Sequence, residues 1–173
     1  MSRLSEIVND KVPISNINSW VDLGSGNGNV VQELKWNNEA KIKISIDKYP
    51  QKFSTEWIFV DDFDIILNKN YDLFTAIDMI EHLPKEDGIN LINKIDKYFN
   101  NKMFFTPKGF LRQDETTHPE LIAANPWQKH ISGWDVTDFN NLGYETILLK
   151  DFHYPRGLNK YFDAIIAYKM NKQ

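Results

Sequence analysis

The chain contains no cysteine. That excludes disulfides, thiolate-ligated zinc and a cysteine nucleophile. No apolar run approaches the roughly 18 residues of a membrane-spanning helix. The opening residues Met1-Ser2-Arg3-Leu4-Ser5-Glu6 lack the apolar core of a signal peptide. A cytoplasmic protein with no membrane span is the expectation. Basic charge is also in short supply: 20 Lys and Arg stand against 24 Asp and Glu, a net charge of -4, with a pI near 5.6. That balance argues against a general polyanion binder, and so against nucleic acid as a partner. Internal repeats and low-complexity linkers are missing as well.

What is present suits one domain of ordinary size. The 173 residues are 42% apolar and 13% aromatic, enough for a substantial core. Strand-like and helix-like patterns alternate. Trp20 to Leu23, Ile42 to Asp47, Trp57 to Val60, Leu73 to Ile77 and Met103 to Phe105 read as five strands. Val30, Val31 and Leu34 recur at helical spacing after the first strand. Pro84 opens a helix with Glu86 and Asp87 in its first turn and Ile89, Ile92, Ile95 and Phe99 as its buried stripe. Val136, Phe139 and Leu142 mark another helix, stopped by Gly143. Thr146 to Leu149 and Ala164 to Ala167 are the last strands.

Alternation of this kind predicts an α/β fold: a Rossmann-like three-layer sandwich on a mostly parallel seven-stranded sheet. The ending departs from it. The stretch from Phe152 to Tyr161 is too short for a parallel crossover, which takes a dozen or more residues. The last two strands are therefore expected as an antiparallel hairpin, inserted in the sheet or at its edge. Lys48 to Glu56 is equally cramped for a crossover helix, so one helical turn or a bare loop is expected there. Residues 1–18 form a short N-terminal extension.

Chemistry concentrates first at Val21-Asp22-Leu23-Gly24-Ser25-Gly26-Asn27-Gly28. A strand that ends in glycines and runs into a helix lets backbone approach a ligand closely. Dinucleotides and S-adenosylmethionine (SAM) both use this geometry. The dinucleotide pattern places a third glycine where this chain has Asn29. Asp22 would also repel a pyrophosphate, whereas it suits the ammonium of a methionine moiety. Asp47, at the end of the second strand, stands where an acid accepts hydrogen bonds from ribose hydroxyls. Each piece alone is a common turn or cap; their order and spacing together point to SAM.

These residues resemble the first motif and the ribose-binding acid of the class I SAM-dependent methyltransferases. Val60-Asp61-Asp62-Phe63 looks like their adenine-side motif, with Asp62 favoured over Asp61 for the exocyclic amine. Ile77-Asp78-Met79-Ile80-Glu81-His82-Leu83 is similar to the fourth motif of the subgroup that methylates mostly small molecules. Phe104-Phe105-Thr106-Pro107-Lys108-Gly109 and His130-Ile131-Ser132-Gly133-Trp134 match its later pattern. The resemblance runs from about Trp20 to Lys169. It implies SAM as cofactor, held by Asp22, Gly24, Ser25, Gly26, Asn27, Gly28, Asp47, Lys48, Asp61, Asp62, Asp78 and Met79. The predicted hairpin, reached from loop length, is also that family's hallmark.

The resemblance implies in-line methyl transfer, for which alignment matters most and a general base is needed only if the acceptor must lose a proton. His130, His82 and Glu81 are the candidates for that base. Lys108, His118, His130 and Trp134 are candidate acceptor contacts within residues 107–134, read as a substrate loop or lid. His153 is expected at the surface. No metal-ligand set stands out. Missing cysteine excludes cytosine-C5 methylation, and Asp78-Met79-Ile80-Glu81 replaces the Asp/Asn-Pro-Pro-aromatic motif of amine-directed enzymes. A small-molecule acceptor, methylated on oxygen or nitrogen, is the leading expectation. RNA or protein acceptors, and a non-catalytic SAM-binding domain, are the alternatives.

Overall fold

The computed structural model describes residues 1–48, 53–64, 69–155 and 160–170. Its elements run α1 (Arg3–Lys11), β1 (Ser19–Leu23), α2 (Trp36–Glu39), β2 (Ile42–Ile46), β3 (Ile58–Val60), β4 (Tyr71–Ile77), α3 (Lys85–Ile95), β5 (Phe99–Pro107), α4 (Pro119–Ala124), α5 (Val136–Asn141), β6 (Glu145–His153) and β7 (Phe162–Met170). The seven-stranded sheet has the order β3-β2-β1-β4-β5-β7-β6. No helix among the described residues is long and apolar enough to cross a membrane.

The chain divides into two compact units. The first comprises Met1–Ile77, Ile95–Met103 and Met170–Gln173; the second comprises Asp78–Lys94 and Phe104–Lys169. In the first unit, β1 runs parallel to β2, with Val21 opposite Ile44, and parallel to β4, with Val21 opposite Phe74. β2 pairs in parallel with β3. These strands are apolar because both faces are covered. Trp20 and Trp36 are fully buried. The Trp20 ring meets Trp36 and Trp57 edge-on at 5.9 and 4.8 Å. Each such side chain contributes about 2–3 kcal/mol on burial. The N-terminal extension is not an idle tail. Ser2 caps α1 by accepting from the Ser5 amide, and Leu4 and Val8 are buried.

The regular helix expected after the glycine-rich turn does not form. A 3-10 turn at Val31–Glu33 and the single-turn α2 stand in its place. Asn9 of α1 explains the break. Its amide donates to the Glu33 carbonyl at 3.0 Å, and its carbonyl oxygen accepts from the Lys35 amide at 2.8 Å. Both backbone groups are thereby drawn out of a helical ladder. Phe99 also moves from the expected helix stripe to the first position of β5. Between β2 and β3, residues 53–57 form no helix; the rest of that stretch, residues 49–52, lies outside the described residues.

In the second unit, β6 and β7 pair antiparallel, with Thr146 opposite Ala167 and Leu149 opposite Ala164. The hairpin is therefore present, and β7 is inserted between β5 and β6. Register shifts between Leu149 and His153, where Asp151 takes φ +49. α5 carries a complete capping box: the Asp135 side chain accepts from backbone N–H groups of the first turn, and Asp138 answers from inside the helix. Gly143 ends it at φ +80, a left-handed conformation that glycine adopts freely.

Candidate functional site

In the first unit, β1 delivers Asp22 into the interior, 1% exposed. Thr75 on β4 donates its hydroxyl to Asp22 Oδ1, and Trp20 Nε1 donates to Thr75 Oγ1 at 2.8 Å. Asp22 Oδ2 has no hydrogen-bond partner. Burial raises its pKa from 3.8 to about 7; the neighbouring Ser25 and Thr75 hydroxyls offset part of that, although Ser25 Oγ donates to the Asp22 backbone carbonyl rather than to Oδ2, and the nearby Asp47 charge adds to it. A buried carboxylate with one orphaned oxygen calls for a cation. The turn beyond it takes left-handed backbone at Gly24 (φ 78), Gly26 (φ 53) and Gly28 (φ 72). Only glycine adopts such angles at three alternate positions without strain. The Gly24 amide donates to the Ile46 carbonyl at 2.7 Å, and the Gly26 amide donates to Asp47 Oδ2 at 2.9 Å. Asp47 thus ties the turn to the end of β2. Asn27 steadies the turn by accepting from the Asn29 amide.

The other expected cofactor residues of this unit lie around that turn. Asp47 N donates to the Val60 carbonyl at 3.3 Å, which brings the end of β3 beside it. Asp61, Asp62 and Lys48 are exposed. Asp62 accepts from the Asp64 amide at 2.9 Å, so one carboxyl oxygen already holds its own loop. A surface cleft of about 520 Å3 is lined by Phe53, Ser54, Thr55, Trp57 and Phe59. Phe53 packs directly on the turn: a Cβ on Gly28 would stand 2.3 Å from its ring.

In the second unit, Asp78 and Met79 follow β4. Asp78 is exposed and takes φ +48, a strained conformation for a side-chain-bearing residue. The 3-10 turn Ile80–His82 then carries Glu81 inward. Glu81 is 3% exposed. Its Oε2 accepts from Thr106 Oγ1 at 2.9 Å, while Oε1 has no partner. Burial first, and the Asp78 charge second, push its pKa well above the usual carboxylate range. The Glu81 carbonyl accepts from the Ile131 and Ser132 amides at 2.8 and 3.0 Å. That pair of bonds delivers the adjoining His130.

His82 and His130 have the same arrangement. His82 Nδ1 lies 3.0 Å from the Lys129 carbonyl, and His130 Nδ1 lies 2.6 Å from the Leu111 carbonyl. A carbonyl only accepts, so each Nδ1 carries the proton and each Nε2 presents a lone pair. Burial lowers the His130 pKa to about 4, against the bond to Leu111, which raises it; the other three histidines lower it further. The rings meet edge-on at 4.8 Å. Ligand atoms of Glu81, His82 and His130 all lie within 4.8 Å of one another. Two neutral imidazoles steered by carbonyls, with the Glu81 carboxyl group once it loses its proton, could hold a divalent metal ion.

The sequence alone points to these three residues as candidate bases and to no metal-ligand set. The signal was the adjacent Glu81-His82, but nothing in the sequence places His130 beside them. Thr75 and Thr106 were also missed. Their sign is a lone hydroxyl inside an apolar strand end, at Phe74-Thr75-Ala76 and Phe105-Thr106-Pro107.

The remaining candidates divide. His118 and His153 share a second cavity with Arg112, and His153 is half-buried rather than on the surface, because it packs against Phe105 and Phe152. Lys108 is half-buried and pairs with Asp135 at 3.9 Å. Trp134 is 1% exposed. It donates to Ser132 Oγ and packs against Gly88 and Phe139, so its role is in the core rather than against an acceptor. The 107–134 segment contains α4 and a 3-10 turn, and Lys108 and Gly109 bridge back to Trp134.

No family model matches the sequence, and no curated protein matches it. Solved structures do. The small RNA methyltransferase HEN1 superposes with a TM-score of 0.65 at 16% identity, covering 97% of this chain and 25% of that one. An O-methyltransferase family protein from Burkholderia thailandensis gives 0.59 at 10% identity, covering 98% and 56%. LepI in complex with SAM gives 0.52 at 10% identity, covering 98% and 47%. The chain thus spans a quarter to about half of the length of these neighbours. With its strand order and inserted antiparallel β7, the chain has the fold of the class I SAM-dependent methyltransferases.

Proposed function

We propose that the chain transfers a methyl group from SAM to a hydroxyl oxygen of its acceptor. The observation that carries the cofactor is Asp22, buried beneath three left-handed glycines with one oxygen unpartnered. That oxygen fits the ammonium of the methionine moiety. Asp47 accepts the ribose hydroxyls, beside Lys48. Gly24, Ser25, Gly26, Asn27 and Gly28 let backbone approach the ligand, and Asp61 and Asp62 complete the proposed contacts of this unit. SAM supplies a methyl group on a sulfonium, activated for in-line displacement. The protein's work is alignment.

Oxygen is favoured over nitrogen by Glu81, His82 and His130. A divalent ion held by these three side chains would supply Lewis acidity toward an acceptor hydroxyl. Lys129 and Leu111 carbonyls hold the two rings in the tautomer the ion needs. Thr106 holds one Glu81 oxygen, which aims the other inward. His130 and His82 serve as ligands in this reading rather than as bases.

The acceptor is proposed to be a small hydroxylated molecule, consistent with the net charge of -4. RNA is the second reading. It is favoured by the exposed aromatics Phe110, Trp127, Tyr154 and Tyr161, all in the second unit, since planar faces stack bases. Calorimetric titration with SAM tests the first claim, and absence of binding at millimolar SAM would sink it. Turnover assayed with and without a chelator, with Mg2+, Mn2+ or Co2+ restored, tests the second. Salt-sensitive binding of a single-stranded RNA would move the acceptor to the second reading.

A further inference from the structure

Three buried side-chain polar atoms among the described residues lack a partner: Asp22 Oδ2, Glu81 Oε1 and His153 Nε2. An orphaned polar atom in a protein interior costs about 1–3 kcal/mol and asks for an explanation. The first two belong to the sites above. The third belongs to neither. His153 forms a wall of a cavity of about 210 Å3, together with Arg112, Gln113, His118 and Tyr154.

The lining offers hydrogen-bond donors, a guanidinium and two imidazoles, with no carboxylate among them, while Asp114 pairs with the guanidinium from outside the lining. Arg112 is fixed rather than floppy, because its Nε donates to Asp114 Oδ2 at 2.6 Å. Asp114 is held in turn by the amides of Thr116 and Thr117 at 2.9 and 3.0 Å. A guanidinium so oriented matches the oxygens of a phosphate better than any other common anion-binding side chain.

The cavity is also joined to the histidine group through backbone. Arg112 stands between Leu111 and Gln113. The Leu111 carbonyl accepts from His130 Nδ1 at 2.6 Å, and the Gln113 carbonyl accepts from the His130 amide at 2.9 Å. The same strip of chain thus holds His130 and lines the cavity.

We infer that this cavity binds a phosphate group, and that the acceptor is a phosphorylated alcohol anchored at Arg112 with its hydroxyl offered at His130. The second half rests on the methyl-transfer reading. The phosphate could be a monoester on a small molecule or a diester in a nucleic acid strand. The chemistry recognised is the same.

The test is a titration of the 173-residue chain with inorganic phosphate at constant ionic strength, followed by ring nitrogen resonances of His118 and His153. Saturable shifts of both rings are expected, with chloride inert. Arg112→Gln should weaken the site about tenfold, the scale of one charge-assisted hydrogen bond. His153→Phe, which keeps the packing, should weaken it too. Glycerol 2-phosphate and a ribodinucleotide then separate the two sources: the tighter ligand identifies the ester, and glycerol or a nucleoside should bind more weakly than either. Shifts that fail to saturate, or survive Arg112→Gln unchanged, overturn the phosphate site. Calorimetry with SAM on the same sample keeps the two readings apart. Phosphate binding without SAM binding would refute methyl transfer alone, and the reverse would refute the phosphate site alone.

Discussion

The glycine-rich turn and the histidine group are built in opposite ways. The turn is local. Asp22 to Gly28 are contiguous, and their partners Asp47, Thr75 and the Ile46 carbonyl come from the two strands that flank β1. Parallel pairing alone places those residues side by side. The histidine group is assembled from distant stretches. His82 leaves a 3-10 turn, His130 returns after a long excursion, and backbone carbonyls from Lys129 and Leu111 set both rings. A turn of this kind needs only backbone geometry. A cluster that selects an ion or acceptor depends on every contact that holds its separate strips together.

Substitutions can separate the two. His130→Ala is expected to have the largest effect: turnover falls on the order of 100-fold or more, as for lost metal ligation, with SAM affinity nearly unchanged. Chelation should mimic it, and full activity in the presence of a strong chelator would remove the metal from the mechanism. Asp47→Ala should do the reverse, weakening SAM on the order of 30-fold in calorimetry, since losing one partner of a hydrogen-bonded charge costs about 2 kcal/mol or more. Equal affinity in variant and wild type would refute the ribose assignment.

The third expectation concerns pH. Asp22 has its pKa raised by burial to about 7 in the ligand-free protein. Below that it is protonated and must lose its proton to meet an ammonium. SAM affinity should therefore rise with pH up to about 7 and then level, with proton release detectable in buffers of different ionisation enthalpy. Asp22→Asn should bind more weakly and with a flat profile. The same shift has the opposite sign for folding. The unfolded carboxyl ionises near 3.8, so the stability of the ligand-free protein declines as pH rises from there to about 7.

The smallest effect is structural. Gly88→Ala puts a methyl group 2.5 Å from Trp134 Cζ2. It should cost about 1–3 kcal/mol, read as a lower melting temperature, because the ring has little room to yield. SAM affinity should survive it. An unshifted melting temperature would mean that Trp134 is not fixed in the core.

The sequence by itself determined most of the frame. Apolar runs located β1, β2, β4 and β5; three glycines located the left-handed turn after β1; and a short final loop required the antiparallel hairpin. These are local properties, since strand period, left-handed backbone and chain reach are settled within a few residues. Tertiary structure decided the rest. Asn9, remote from the glycine turn, breaks the helix that the pattern of Val30, Val31 and Leu34 promised. Trp134 is in the core, and His153 is half-buried beside a cavity. Glu81, His82 and His130 become one donor set only because the Glu81 carbonyl accepts from Ile131 and Ser132, and so brings a distant strip of chain home. No periodicity encodes such a meeting; it is a product of which backbone groups find partners once the strands have paired.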